Sequence, residues 1–279
     1  MSEKKVAIKL STLEGIGDAV REKEGSTEPI PVNALADRIG ALQIGGGENK
    51  FLQLADRTIT EVTAEDLSGI TQIGTSAFDY CTSLTSAIIP NNITSIGNRA
   101  FYYCASLKTL EIGEGVTQIG SEMCNYCSSL TSIIIPGGVT NIGDSVFNSC
   151  RSLKSVVIGE GVKTIGFYMF QNCYELTSVT LPNTITSIQN YAFAYCTQLR
   201  ELTIPSSIKN IGGNALNCGN GGIYKATFTF LGTTPPSLNS SAFNKSYLNK
   251  IIVPKGCGDA YKTATNWANF ADYIEEATE

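Results

Sequence analysis

The feature that most constrains this chain is a pattern of residues that returns every 23 positions. Cysteine and leucine mark the pattern most clearly, and each leucine lies three residues after a cysteine. A repeat of about 20–29 residues is typical of a solenoid, in which each unit buries its apolar face only by stacking on its neighbours. The marked positions are Cys81, Cys104, Cys127, Cys150, Cys173 and Cys196, followed by Leu84, Leu107, Leu130, Leu153, Leu176 and Leu199.

Each unit predicts one short β-strand and one return segment. Leu84, Ala87 and Ile89 have the spacing of a strand with one buried face, and Pro90, which cannot donate a ladder hydrogen bond, ends it. Strands of successive units should pair in parallel, about 4.8 Å apart. Each return segment carries a residue that should fill the core, and Met123–Cys124 breaks this aromatic column in the third unit. The phenylalanines of the column are Phe78, Phe101, Phe147, Phe170 and Phe193.

The composition excludes several classes of function. The 279 residues include no histidine, which excludes Ser-His-Asp and Cys-His catalysis and metal sites with histidine ligands. A net charge of −5 without a cluster of lysine and arginine disfavours nucleic acid as a partner. The N-terminus shows no apolar signal segment, and no run of about 18 apolar residues predicts a membrane span. We therefore expect no nucleic-acid partner and no membrane insertion.

The cysteine column has a chemical interpretation and a structural one. Thiols one unit apart would be near enough for disulfides, and Cys124-x-x-Cys127 has a redox or metal-binding spacing. Free cysteine, however, behaves as a small buried hydrophobe, and a column present in every unit is what packing demands. We therefore expect the six repeat cysteines to be reduced and buried. Cys218 and Cys257 lie outside the column, and their pairing stays open.

The carboxylates do not form a recognisable catalytic pair. Glu111 and Glu201 should point outward on strands four coils apart, roughly 19 Å at the spacing of a sheet, which is too far for a paired glycosidase site. The other acidic residues are scattered and are typical of a solvated surface. We therefore expect a protein that is not an enzyme and has no catalytic residues, cofactor or metal ion.

The repeat columns resemble the BspA-like leucine-rich repeats, a 23-residue class first associated with surface antigens of treponemes and Bacteroidetes. The resemblance covers roughly residues 58–276. It implies an α/β repeat solenoid, a right-handed leucine-rich repeat superhelix of short parallel strands with a helical C-terminal cap from about residue 255. Within the cap, the side chains expected to cover the open edge of the last coil are Tyr261, Trp267, Phe270 and Ile274.

The first 47 residues differ in kind from the repeats. Ser11 or Thr12 can begin one helix, Pro29 precedes a second, and three glycines at 45–47 predict a flexible linker. This segment resembles a helical hairpin found at the start of bacteriophage and prophage tail proteins. The sequence therefore predicts an attachment hairpin with its linker at 1–47 and the solenoid at 48–276. Alternatively, the hairpin covers the open end of the first coil.

The outward face of the predicted strands is the candidate binding face. Two neighbouring columns of small hydroxyl and apolar residues form a flat, weakly charged surface there, which we name the strand-face strip. Solenoids bind partners through such faces, although hydroxyl columns also simply suit a sheet surface, and the turns near Asn91 and Asn92 compete for the role. The strip comprises Ser86, Thr109, Ser132, Ser155, Ser178 and Glu201, with Ile88, Glu111, Ile134, Val157, Thr180 and Thr203 beside them.

These features together predict a non-enzymatic binding protein. The main interpretation is a phage or prophage tail protein, made in the host cytoplasm and carried on the virion tail. Residues 1–47 would contact a tail or baseplate protein, and the solenoid would recognise a bacterial surface protein or polysaccharide. The alternative is a bacterial cell-surface or secreted adhesin that binds host proteins or glycans. The sequence leaves open whether the chain forms a homo-oligomer.

Overall fold

A computed structural model describes residues 57–219 and 225–278 of the chain. The helices predicted within residues 1–47 therefore lie outside the described residues. The described part is a stack of coils in which each 23-residue unit makes one turn, as the repeat predicts. Strands β1–β18 are numbered in chain order.

One face of the stack holds the predicted strands, together with a strand at Ala226–Phe230 that the repeat columns did not predict. Ser86 lies beside Thr109, and Ser132 lies beside Ser155, which lies beside Ser178, so the parallel register follows the 23-residue repeat. Apolar side chains at alternate positions of each strand point into the core. The strands are β1 (Glu61–Val62), β3 (Ser86–Ile89), β5 (Thr109–Ile112), β7 (Ser132–Ile135), β9 (Ser155–Ile158), β11 (Ser178–Thr180), β13 (Glu201–Ile204), β15 (Ala226–Phe230) and β17 (Leu248–Val253).

A second strand in each coil was not predicted from the sequence. It has only two residues, too few to show an alternating pattern, and it is held by backbone bonds to the next coil, such as Gly97 N to Ile73 O at 2.8 Å. These strands form a second parallel face. They are β2 (Gln72–Ile73), β4 (Ser95–Ile96), β6 (Gln118–Ile119), β8 (Asn141–Ile142), β10 (Thr164–Ile165), β12 (Ser187–Ile188), β14 (Asn210–Ile211) and β16 (Ser237–Leu238).

The return segments consist of turns instead of strands. Alternate backbone N–H groups donate to the next coil, as from Phe78 to the carbonyl of Ala100 at 2.7 Å. Most segments hold two residues with positive φ, four positions apart. Residues other than glycine seldom adopt this conformation. The second of these positions is filled by Tyr80, Tyr103, Tyr126, Ser149, Asn172 and Tyr195, with φ between 53° and 63°.

The core is built from the predicted columns. All six repeat cysteines are buried and free, which confirms their burial, and each of the last five donates its Sγ–H to a carbonyl of the preceding coil, as Cys104 does to Phe78 at 3.0 Å. The rings of Phe78 and Phe101 stack with their centroids 5.0 Å apart. Cys124 is buried where the aromatic column is interrupted.

The last coil is covered by short helices and one more strand. The covering elements are a 3₁₀ turn (Lys245–Tyr247), α1 (Gly258–Thr263), a 3₁₀ helix (Trp267–Tyr273) and β18 (Ile274–Glu276), which pairs in parallel with β17. Tyr261, Trp267, Phe270 and Ile274 are all buried, as the sequence predicts. Ile274, however, begins a strand that extends the sheet. None of the helices in the described ranges combines the length and apolar character that crossing a membrane requires.

Candidate binding surfaces

The strand-face strip lies where the sequence places it. The register brings Ser132 beside Ser155 and Ile134 beside Val157, while Ile88 lies beside Glu111. Its twelve residues are exposed or half-buried. The apolar members are the most unusual, because the Ile134 side chain is 64% exposed and those of Val157 and Ile88 are 43% and 41% exposed. The strip is therefore an accessible surface that joins apolar and hydroxyl side chains, with Glu111 and Glu201 as its charged members.

The turns that compete with the strip carry structural hydrogen bonds. The side-chain amide of Asn92 donates to the carbonyls of Leu67 at 2.9 Å and Ile70 at 2.6 Å. The side-chain oxygen of Asn91 accepts from Glu114 N at 2.9 Å. These amides tie one coil to the next, so changing them would alter the stacking of coils as well as the surface.

Two shallow grooves run along the face formed by the short strands. The larger has a volume of about 560 Å³ and crosses β2, β4, β6 and β8, and the smaller, of about 430 Å³, crosses β12, β14 and β16. Every side chain that lines the two grooves is uncharged. Sequence reasoning missed them, although their outward column has a visible 23-residue spacing. In the larger groove that column is Gln72, Ser95, Gln118 and Asn141.

A second feature that the sequence analysis missed is a group of four tyrosines, which we name the tyrosine cluster: Tyr80, Tyr102, Tyr103 and Tyr126. The rings of Tyr80 and Tyr103 are stacked at 5.2 Å, and Tyr126 lies 5.7 Å from Tyr103 and 6.0 Å from Tyr102. Tyr80, Tyr103 and Tyr126 are 43%, 41% and 38% exposed. Four aromatic rings therefore form one partly exposed surface across three successive coils.

Two arginines border the tyrosine cluster, and each is paired with a carboxylate. The guanidinium of Arg57 lies 5.3 Å from the ring centroid of Tyr80 and 3.6 Å from the carboxylate of Asp79. That of Arg99 lies 5.3 Å from the ring centroid of Tyr102 and binds the carboxylate of Glu122 through two nitrogens, at 3.0 and 3.1 Å. The cations can attract the ring faces, while the charges cancel within each pair.

The surroundings raise the pKa of two groups in and beside the tyrosine cluster, Tyr102 and Arg99. The hydrogen bond to Glu122 and the charge of that carboxylate raise the pKa of Arg99. Partial burial, followed by the neighbouring Tyr80 and Tyr126, raises the pKa of Tyr102. The hydroxyl of Tyr102 therefore keeps its proton and can donate as well as accept a hydrogen bond.

The cysteines do not combine into a reactive or metal-binding centre in the described part of the chain. Burial, followed by the neighbouring thiols, raises the pKa of Cys124 well above its ordinary value, and burial also raises that of Cys127. A thiol needs a low pKa and access to solvent to act as a nucleophile, and these have neither. Cys218 is buried near Cys196, whose pKa is raised by burial and then by Cys218, while Cys257 is half-buried. No group of three potential ligand side chains in residues 57–219 and 225–278 is placed to hold a metal ion.

Known proteins that are similar to this chain share its leucine-rich repeats. A family model described as "BspA type Leucine rich repeat region" matches residues 54–177 and 163–266, with six copies. No curated protein matches the sequence. Among solved structures, a leucine rich cell surface protein from Faecalibacterium prausnitzii is 30% identical with a TM-score of 0.54, and the match covers 66% of this chain and 59% of that one.

Two further structures are similar over comparable lengths. A leucine-rich repeat protein from Bacteroides ovatus is 27% identical, with a TM-score of 0.57 and coverage of 71% of this chain and 56% of that one. The leucine-rich repeat protein of T. pallidum is 32% identical, with a TM-score of 0.50 and coverage of 53% and 70%. The chain thus spans less than two thirds of the proteins from F. prausnitzii and B. ovatus.

Proposed function

Because this chain belongs to the BspA-type leucine-rich repeat family, we propose that it is a non-enzymatic binding protein that presents its solenoid at a bacterial surface. The observation that carries this proposal is the strand-face strip, where Ile134, Val157 and Ile88 expose apolar surface among hydroxyl side chains. Such residues on strands supply contact area without ordering a loop, which favours binding. The neighbouring strands extend the strip over several coils, as a large partner requires.

The similar proteins support a location at the bacterial cell surface. The similar protein from F. prausnitzii is described as a cell surface protein, and the other relatives named above are also bacterial. They favour a cell-surface adhesin over a phage or prophage tail protein. The tail interpretation depends on residues 1–47, which lie outside the described residues, and its tail or baseplate partner stays a prediction.

Charged substitutions in the middle of the strip test the proposed function. The full chain would be incubated with bacterial cell envelopes and with epithelial cells, and the bound fraction measured. Ser132→Arg and Ile134→Glu should each abolish binding, because each places an unpaired charge in the contact, while leaving the unfolding temperature nearly unchanged. Thr71→Arg and Thr71→Glu, at an exposed position outside the strip, are the matched controls and should bind like the wild type.

Two results would contradict the proposal. Binding that survives both strip variants but is lost when Asn91 and Asn92 are replaced would move recognition to the turns. Turnover of an envelope polymer that falls with Glu111→Gln would make the protein an enzyme.

A further inference from the structure

We propose that the tyrosine cluster is a binding site for a neutral saccharide chain. The inference rests on the proposed binding function but concerns a different face of the coil from the strand-face strip. Sugar rings present patches of C–H groups that pack on aromatic faces, bordered by hydroxyls that exchange hydrogen bonds with phenol, amide and guanidinium groups. The tyrosine cluster offers both kinds of contact on three successive coils.

Bonds between coils and contacts between rings order the tyrosine cluster without any ligand. Tyr80 N donates to Tyr102 O at 2.7 Å, and Tyr103 N donates to Asn125 O at 2.8 Å, so the main chain of both residues is bonded to the next coil. Stacking of Tyr80 on Tyr103 further restricts both rings. A site that is already ordered loses little conformational freedom on binding, which favours affinity.

Three tyrosines of the cluster occupy the same position of successive coils. Tyr80, Tyr103 and Tyr126 have φ values of 53°, 56° and 63°, and a bulky residue is unfavourable in that region. The equivalent position of another coil holds Asn172, a residue that accepts this conformation more readily. Tyrosine also fills this position at Tyr195, so Tyr80, Tyr103 and Tyr126 are distinguished by rings that contact one another at the surface.

Charge selects a neutral ligand over an anionic one. Arg57 is paired with Asp79 and Arg99 with Glu122, so the two cations at the border are balanced by two carboxylates. An anionic polymer would have to approach these carboxylates, whereas the hydroxyls of a neutral sugar can bond to both members of a pair. The ion pairs are therefore suited to a hydroxyl-rich, uncharged partner.

The adjoining groove supports the same class of ligand. Its outward residues Ser95 and Gln118 precede Arg99 and Glu122 by only four residues on the same two coils. The lining combines amide and hydroxyl groups without a charge. The spacing between strands, about 4.8 Å, is also close to the length of one sugar ring in an extended chain. A saccharide bound to the tyrosine cluster could thus continue across the coils.

Binding of defined polysaccharides to the full chain tests the inference. The probes are amylose, a mixed-linkage β-glucan and a mannan, with dextran sulfate as the anionic comparison, measured by calorimetry. At least one neutral polymer should bind more tightly than dextran sulfate. Tyr103→Asn and Tyr126→Asn should each weaken that binding about tenfold or more, the loss of roughly one hot-spot contact. Tyr103→Phe, which keeps the ring, should retain most of the affinity.

A matched control separates loss of the site from loss of the fold. Tyr195→Asn makes the same replacement at the same position of a coil outside the tyrosine cluster, where φ is 63°. It should leave saccharide affinity unchanged, and all three asparagine variants should unfold near the wild-type temperature. Equal losses for Tyr103→Asn and Tyr195→Asn, or no binding of any neutral probe, would overturn the inference.

The outcome is also distinguishable from that of the proposed function. Envelope binding that is lost in Ile134→Glu, by a protein that binds none of the neutral polysaccharides, would support the strand-face strip and refute the saccharide site. If the protein binds a saccharide through Tyr103 but binds neither envelopes nor cells, the saccharide site would be supported and the proposed role of the strand-face strip refuted. Envelope binding that depends on Tyr103, survives periodate oxidation of the glycans and is abolished by protease would assign the tyrosine cluster to a protein partner instead.

Discussion

At the scale of the residue, a core side chain in this molecule packs against its counterpart one coil away. The rings of Phe147 and Phe170 are nearly parallel with centroids 5.7 Å apart, and Phe170 and Phe193 repeat the contact at 5.4 Å. All three are fully buried. Because hydrogen bonds tie the backbone to the next coil, a cavity at one of these positions has little opportunity to collapse.

Phe147→Ala should therefore lower the free energy of unfolding by about 3–5 kcal/mol, the usual range for truncating a large buried aromatic residue. Urea denaturation followed by circular dichroism measures the change. Leu231→Ala is the control, because the Leu231 side chain is 50% exposed and its truncation should alter stability by less than about 0.5 kcal/mol. Similar small losses for both variants would show that the phenylalanine column does not carry the core.

Burial also gives the thiols a pH dependence. It raises the pKa of Cys218 from about 9 to about 12, so the folded protein keeps a proton that the unfolded chain loses. Stability from this effect is complete below the unfolded pKa and falls as the pH rises from about 9 towards 12. Burial raises the pKa of Cys104, Cys173 and Cys196 in the same direction.

The urea midpoint should therefore be lower at pH 10 than at pH 7. Cys218→Ala removes one of the shifted groups, so its midpoint should fall less over the same interval, whatever its stability at pH 7. Cys257→Ala, at a half-buried thiol, serves as the control and should follow the wild type. A midpoint that stays constant up to pH 10 would mean that the thiols are not shielded as the structure shows.

At the scale of the element, the turn after each predicted strand is constrained by the coil beside it. The equivalent position at the end of each unit's strand segment holds Pro90, Gly113, Pro136, Gly159, Pro182 or Pro205. A Cβ atom added at Gly159 would lie 2.6 Å from the Cα of Gly137 in the preceding coil, closer than such atoms approach. At Gly137 itself nothing lies within 4 Å of that atom. Two glycines of adjacent turns thus have opposite tolerance for a methyl group.

Gly159→Ala should cost about 1–3 kcal/mol of stability, because backbone of the neighbouring coil must shift to make room. Gly137→Ala makes the same chemical change in open space and should be neutral or stabilise by up to about 1 kcal/mol, since it restricts the unfolded chain. Chemical denaturation of the two variants side by side provides the comparison. Equal effects would contradict the tight stacking of these turns.

The sequence predicted those strands that are long enough to show alternating buried residues. Strands such as Ser132–Ile135 were predictable because alternate buried residues recur in every unit. A two-residue strand such as Gln118–Ile119 carries no period of its own and forms only because the coils stack, and the grooves on that face follow from it. The 23-residue spacing of Tyr80, Tyr103 and Tyr126 was visible in the sequence, but nothing in it revealed their positive φ or exposure. The residues of the strand-face strip are exposed or half-buried on the strands, and their role in binding stays a prediction.

At the scale of the whole molecule, each coil is bonded mainly to the coils before and after it. Such a stack needs covers at its ends, where apolar side chains and unpaired backbone would meet water. At the C-terminal end Trp267 fills this role, because it packs on Phe230, Phe243 and Tyr261 and donates its indole N–H to Pro236 O at 2.8 Å. The N-terminal end begins with β1, beside which Arg57 is the first described residue.

A chain that begins at Lys50 should remain monodisperse and unfold cooperatively, because the repeat pattern starts after that residue. Size-exclusion chromatography and thermal unfolding by circular dichroism would compare it with the full chain. A C-terminal truncation after Val253 is the contrasting variant, and it should aggregate because it removes β18 and the helices that bury the last coil. Aggregation of the Lys50 variant as well would identify residues 1–47 as a cover for the first coil, in place of a separate attachment hairpin.

The direction of the hydrogen bonds also determines how this protein would respond to a pulling force. The bonds between coils run along the axis of the stack, so tension applied at the two ends opens one junction at a time instead of shearing a whole sheet. Each detached unit would release 23 residues, about 80 Å of extended chain, from a coil that occupies about 4.8 Å of the axis. A protein that tethers two bodies in this way would lengthen in steps under load, and the coils still stacked would keep their surfaces intact.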